Sequence, residues 1–229
     1  MGTENLKIWD AVSQTDVDHT KQVDFGRKFT AIDAHSQVMN ATEQFGPVGA
    51  GWGYKNEYGE VHLQDGKVIV YCDVTLWYIT HDEWEGNKIE NRKEFGPIRG
   101  GSVLIKSNKD GSIAKVPDTD AWKKASTDGL TKALSHLGFN ADVFLGMFDD
   151  NKYVTGLQKE KDETETAAQQ LYAEERAGFI KKVEACKSKS AMDGVLADYK
   201  LWIDRLPPGT AVELRGWVEK KKGELSGSK

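Results

Sequence analysis

The chain has 229 residues, 38% hydrophobic and 29% charged, which places it among globular proteins of one or two domains. It carries 31 basic and 36 acidic side chains, a net charge of -5, so a nucleic-acid site has to be a local basic groove on an acidic body. No run approaches the roughly 20 apolar residues of a membrane span, and two distant cysteines, Cys72 and Cys186, exclude a disulfide framework and point to a reducing compartment.

Met1-Gly2-Thr3-Glu4-Asn5 lacks the basic and apolar regions of an export signal, which predicts a cytoplasmic protein. Leu6, Ile8, Trp9 and Val12 then suit a short helix or docking arm, followed by a polar stretch. Thr30 and Asp33 form a weak capping box, which sets Thr30 as the cap of the next helix. Ala34, Val38, Ala41 and Phe45 make one helical stripe, closed by Gly46-Pro47.

Residues 51–115 read as an antiparallel meander. Trp52-Gly53-Tyr54 opens a strand, Tyr58-Gly59 turns it, and Val61-His62-Leu63 follows. Asp65-Gly66 is a hairpin signal, and Lys67 to Thr80, rich in β-branched and aromatic residues, is one long strand. Glu85-Gly86-Asn87 turns again, and Ile89 to Phe95 pairs back. Gly96-Pro97 and Gly100-Gly101 interrupt it, as glycines do at a bulge or a close backbone approach, before a short strand Ser102 to Ile105 and a turn at Asp110-Gly111.

Pro117 to Asp120 starts a helix. Trp122, Ala125, Gly129, Leu130, Ala133, Leu134 and Leu137 share one arc, while Lys124, Asp128, Thr131, Lys132 and Ser135 share the other. Gly129 and Ala133 are small, so this helix can lie close on a sheet. Residues 156–166 are charged and apolar-poor, a linker or a solvated helix start. Three helical patterns follow, with Leu171, Phe179, Ile180 and Val183, then Val195 to Ile203, then Val212, Leu214, Trp217 and Val218 after Pro207-Pro208-Gly209. The reading is an α+β fold: a β-meander packed on helices over residues 1–155, and a small all-α module over 156–229. The first 150 residues hold 16 basic and 23 acidic side chains, and the remainder 15 and 13.

No P-loop motif occurs. Gly46, Gly49, Gly51 and Gly53 follow a helix and precede a strand, the reverse of a phosphate-cradling loop. The five histidines show no zinc spacing. Asp82, Glu83 and Glu85, and Asp149 with Asp150, are acidic clusters beside turns, where solvated faces are the ordinary explanation and a two-metal nuclease the sharper one. No catalytic set stands out, and no metal or ATP is called for.

Two segments go further. Ile32-Asp33-Ala34-His35 through Ala41-Thr42-Glu43-Gln44-Phe45-Gly46 and Gly51-Trp52 is one. Lys123-Lys124-Ala125-Ser126-Thr127-Asp128-Gly129-Leu130-Thr131-Lys132-Ala133-Leu134 with Leu137-Gly138 is the other. With the meander between them, over about residues 28–153, they resemble the Rad-fifty-two/Erf/Sak group of single-strand annealing proteins, and phage recombinases in particular. The resemblance implies a β-β-β-α core that assembles into rings or helical filaments. In that family single-stranded DNA lies in a basic groove with its bases exposed, and a complementary strand anneals to them through a duplex intermediate. It implies no bond-breaking enzyme, no ATP, Mg2+ only as a counterion of DNA, and action in the host cytoplasm during phage recombination.

Carried onto this chain, the DNA-binding set is Arg27, Lys28, Arg99, Lys106, Lys124, Lys132 and Lys152. The family has two adjacent basic residues after its Thr-Asp-Gly-Leu; here they are Thr131 and Lys132. The bland alternative for Lys132 and Lys124 is an ion pair with Asp128. Asp128 and Gly129 read as structural. Trp52, Tyr54, Trp77 and Trp84 are candidates for base stacking, against core burial of Trp52 in its turn and of Trp77 by strand alternation. Outside the resemblance, Lys181, Lys182, Lys220 and Lys221 are candidates for recruiting a partner, the host single-strand binding protein with its acidic tail or a phage exonuclease. The competing functions are a metal-dependent nuclease and a β-meander assembly protein with no nucleic-acid role.

Overall fold

Alternation decides the sheet. In the central strand β4 (Val68–Trp84) the even-numbered Val68, Val70, Cys72, Val74 and Leu76 are buried, while Ile69, Tyr71, Asp73, Thr75 and Trp77 face the opposite side. The computed structural model describes residues 4–24, 26, 28–84, 87–108 and 110–225, with residues 4, 82–84, 87 and 88 described by backbone alone. Within it α1 is Lys7–Val12, β1 Thr20–Asp24, β2 Lys28–Ile32, α2 Ala34–Phe45, β3 Trp52–His62 and β5 Asn87–Ile105. Then come α3 Ala121–Ser135, α4 Ala141–Phe144, α5 Asn151–Ala185, α6 Lys189–Asp198, α7 Lys200–Asp204 and α8 Pro208–Glu224. The chain is mixed α+β and divides into two units, residues 1–158 and 159–229.

In the first unit β3, β4 and β5 form an antiparallel sheet in that order, and β1 pairs with β2 as a separate hairpin. The turn after β3 uses Gly66 at φ 82°, a left-handed conformation that glycine adopts without penalty. α3 packs on the even-numbered face of β4. Its apolar arc (Ala121, Ala125, Leu130, Ala133, Leu134) joins Val70, Cys72, Val74, Leu76, Trp52 and Phe139 in one core. The approach is closest at two glycines: a Cβ on Gly100 would stand 2.1 Å from the Gly129 nitrogen and 2.2 Å from the Ala125 carbonyl oxygen. A buried polar knot ties the N-terminal segment down. The Asp142 carboxylate accepts from the Thr15 backbone N–H (2.8 Å), from the Thr15 hydroxyl and from the Tyr153 hydroxyl (3.0 Å).

The second unit is helical. Phe179 and Val183 of α5, Met192 of α6, Ile203 of α7 and Leu214 and Val218 of α8 make its core. Tyr199, Trp202 and Trp217 ring Phe179, with centroids 5.3, 5.7 and 6.4 Å away.

Several local expectations are corrected. Thr30 lies in β2, and the helix cap is Asp33, whose Oδ1 accepts from the His35 N–H at 3.0 Å. The β1–β2 hairpin replaces a polar stretch. Tyr58-Gly59 does not turn; β3 runs straight through, because Tyr71 of β4 lies over Gly59 in the space a side chain would take. The pieces 89–95 and 102–105 are one strand, β5, with register shifts opposite Val74/Leu76 and Val68/Ile69. Trp77 is half-buried on the face away from α3 rather than in the core. The turn at 85–86 lies outside the described residues. Residues 156–166 are helical with no buried side chain, the solvated helix rather than the linker.

Candidate nucleic-acid interface

α3 carries Lys124, Asp128 and Lys132 at four-residue spacing, so all three share a stripe. Because the opposite arc is buried on β4 and β5, this stripe runs beside the outer edge of β5. There Asp128 Oδ2 accepts the Gly101 backbone N–H at 2.9 Å and pairs with Lys132 Nζ at 2.7 Å. Lys132 Nζ also lies 3.5 Å from the Arg99 carbonyl oxygen. Asp128 and Lys132 thus occupy outward-pointing backbone groups of a strand edge, which would otherwise be open to pairing.

The ion-pair expectation holds for Lys132 and is corrected for Lys124. Lys124 Nζ binds Asp118 Oδ2 at 2.7 Å, a partner six residues back that sits beside the start of α3 rather than one turn along it. That hydrogen bond holds the Asp118 carboxyl below the usual carboxylate range and raises the Lys124 ammonium. Lys106 adds its charge near the same carboxylate. Lys106, Lys124 and Lys132 are therefore gathered along one edge, interleaved with Asp118 and Asp128.

Arg99 contributes its carbonyl to that edge but turns its guanidinium to the far face of the sheet. There it makes two 2.7 Å bonds to Asp73 of β4 and lies 4.0 Å over the Tyr71 ring. The hydrogen bond from Arg99 pulls the Asp73 carboxyl below its ordinary value. Lys28 belongs to β2, which packs against the Met147–Asp149 turn, and exposed Lys152 stands on the first turn of α5 just beyond that turn. Among the described residues, no hydrogen bond or ion pair places either of them on the β5 edge. Arg27 lies outside the described residues. Asp150, from the acidic clusters, accepts the Lys152 backbone N–H at 2.8 Å. Asp82, Glu83 and Glu85 have side chains outside the description.

Base stacking is excluded for Trp52, which is fully buried with its Nε1 3.3 Å from the Thr42 hydroxyl. Trp77 lies under Arg92, whose guanidinium carbon is 4.1 Å from the ring centroid. Tyr54 is 40% exposed, and so open to contact, as is Tyr58, which sequence reasoning read only as a turn. The Trp84 side chain lies outside the description.

In the second unit Lys181 borders a groove with Tyr172, Arg176, Ile180 and Glu184. Lys182 turns away, its Nζ 4.9 Å over the Tyr199 ring. Lys221 pairs with Glu224 at 2.8 Å, and Lys220 is exposed. Arg176 lines the same groove as Lys181, and sequence reasoning missed it because it follows two glutamates, Glu174 and Glu175. No helix among the described residues is long and apolar enough to cross a membrane. No protein-family model matches the chain, and no curated protein matches it.

Proposed function

We propose that the chain binds single-stranded DNA and anneals complementary strands without ATP, as a ring or helical oligomer in phage recombination. One observation carries the reading. The helix bearing the Thr-Asp-Gly-Leu motif lies along the β5 edge and carries Lys124 and Lys132 beside it, with Lys106 one residue past the end of β5 and its charge acting on the Asp118 carboxylate. Annealing needs phosphate repulsion neutralised while base edges stay free, and lysines on phosphates do this without reading sequence. The carboxylates on these lysines do not forbid it. The pairs are solvent-exposed, worth little in water, and a phosphate oxygen can replace a carboxylate oxygen on the same ammonium. The helical unit is assigned partner recruitment, with the host single-strand binding protein or an exonuclease as the candidate.

A second reading, an assembly protein with no nucleic-acid role, is favoured by a specific observation: Arg99, Lys124 and Lys132 each already hold a carboxylate. Annealing of two complementary fluorescent oligonucleotides without ATP, across a salt series, separates the two. The expected result is acceleration by wild type that weakens with salt and drops about tenfold or more in Lys124→Ala/Lys132→Ala. No acceleration and no DNA retained at any salt would overturn the annealing reading and leave the assembly protein. Magnesium-dependent loss of labelled DNA would instead indicate a nuclease.

A further inference from the structure

The order β3-β4-β5 leaves two sheet edges, and they differ. Along β5, Gly101 N–H, Arg99 C=O and Leu104 C=O are taken by Asp128, Lys132 and the Asp118 N–H, and Pro97 has no N–H to offer. Along β3 the Trp52 carbonyl, at the first residue of the strand, accepts the Gly49 N–H at 2.6 Å; beyond it, among the described residues, nothing of this kind occurs. The bonds Leu63 N–H to Lys67 C=O and Ile79 N–H to Gly51 C=O fix the phase of the ladder, so the odd-numbered residues of β3 bond to β4. Tyr54, Asn56, Tyr58 and Glu60 then turn their N–H and C=O groups outward. Among the described residues no hydrogen bond reaches those outward groups. β3 contains no proline, and its pairing with β4 has no bulge.

The open stretch reads Gly53-Tyr54-Lys55-Asn56-Glu57-Tyr58-Gly59, the same from both ends except that lysine mirrors glutamate. We propose that β3 pairs antiparallel with β3 of a second copy, about a two-fold axis through Asn56 perpendicular to the sheet. In that register Tyr54 meets the second copy's Tyr58, Asn56 meets Asn56, and each pair exchanges two backbone bonds through the outward groups. Lys55 stands opposite the second copy's Glu57, and Glu57 opposite its Lys55. Within one copy these two side chains, 72% and 67% exposed, hold only each other at 2.6 Å, so both are available.

The charges also select the register. A slip of two residues either way keeps the ladder in phase but sets Lys55 against Lys55, or Glu57 against Glu57, on the axis. The two glycines have a role here. Trp77 and Tyr71 of β4 lie across Gly53 and Gly59, so close that a Cβ would fall 2.8 Å and 2.3 Å from them. Their rings therefore reach toward the seam on one face. In the pair, Gly53 stands opposite the second copy's Gly59, which brings Trp77 toward the second copy's Tyr71. An isologous contact of this kind closes as a dimer. The inference rests on β3 and is independent of DNA binding.

The test uses the full chain in a Cys186→Ser background. Lys55→Cys and Glu57→Cys chains are prepared separately and then mixed under mild oxidation. Directly opposed residues of a non-hydrogen-bonded pair have Cα atoms about 4.5 Å apart, within disulfide reach. The mixture is expected to form the mixed disulfide dimer, and neither variant alone to form one. This reports the register whatever larger assembly is present. In sedimentation across a concentration series, Lys55→Glu is expected to weaken the dimer about tenfold, from two attractive pairs turned repulsive. Lys55→Glu/Glu57→Lys is expected to restore it. A chain that stays monomeric with no mixed disulfide overturns the proposal, as does a dimer indifferent to Lys55→Glu.

Discussion

Gly100 and Gly101 are neighbours in β5, yet a methyl group meets different surroundings at each. At Gly100 it would collide with the backbone of α3, which cannot swing aside as a side chain can; at Gly101 the nearest atom is the Val70 carbonyl oxygen at 3.7 Å. Gly100→Ala is expected to lose about 3 kcal/mol or more, by forcing α3 off the sheet. Gly101→Ala should stay within about 1 kcal/mol of wild type. Urea denaturation of the two variants checks the contrast. A second residue-scale effect is electrostatic. Arg99 lowers the Asp73 carboxyl below its unfolded value, chiefly through the hydrogen bond it donates. That contribution is present above the ordinary carboxylate range and is lost as pH falls through the lowered value. Wild type is therefore expected to lose stability on acidification more steeply than Arg99→Ala, as urea midpoints measured through the acid range will show. Equal slopes would mean that the pair is already broken in solution.

Among the elements, α3 and β5 meet through side chains whose two roles overlap. Asp128 completes the backbone of β5 at Gly101 and also holds Lys132. Asp128→Ala is expected to speed hydrogen exchange at the Gly101 amide about tenfold and to free Lys132, so binding of single-stranded DNA should strengthen if Lys132 contacts phosphate. Faster exchange with unchanged DNA binding would assign this stripe to the sheet edge alone. How much of this was legible beforehand follows from the kind of information involved. The apolar arc of α3 and its closeness to a sheet through Gly129 depend on local periodicity and side-chain size, which neighbouring residues carry. So does the Asp65-Gly66 turn. Tyr58-Gly59 misled because the ring that covers Gly59 comes from Tyr71, across a strand register that no local pattern states. Lys124 with Asp118, and Arg99 with Asp73, likewise required knowing where the chain bends and which strands align. The gathering of Lys106 with Lys124 and Lys132 at the β5 edge is of the same kind.

At the scale of the whole molecule, the described residues form two cores that share no residue. One is built on the sheet and α3, the other on Phe179 and its ring of aromatics, and each buries its own apolar side chains. The local charge differs too: the first 150 residues are acidic in balance and the rest slightly basic, so the proposed groove and the proposed recruitment role fall on segments of different charge. Two separate cores imply that damage to one can leave the other standing. Phe179 is fully buried among Tyr199, Trp202 and Trp217, so Phe179→Ala removes a large ring and leaves a cavity, a loss of about 4 kcal/mol from the helical unit. Far-ultraviolet circular dichroism should then show part of the helical signal melting at lower temperature. Protection of the β4 amides from hydrogen exchange should be unchanged, and so, on the proposed function, should annealing of bare oligonucleotides. Loss of β4 protection in the same variant would mean that the two cores fold as one cooperative body, and the proposed partner recruitment could then not be separated from the proposed annealing by mutating the helical unit alone.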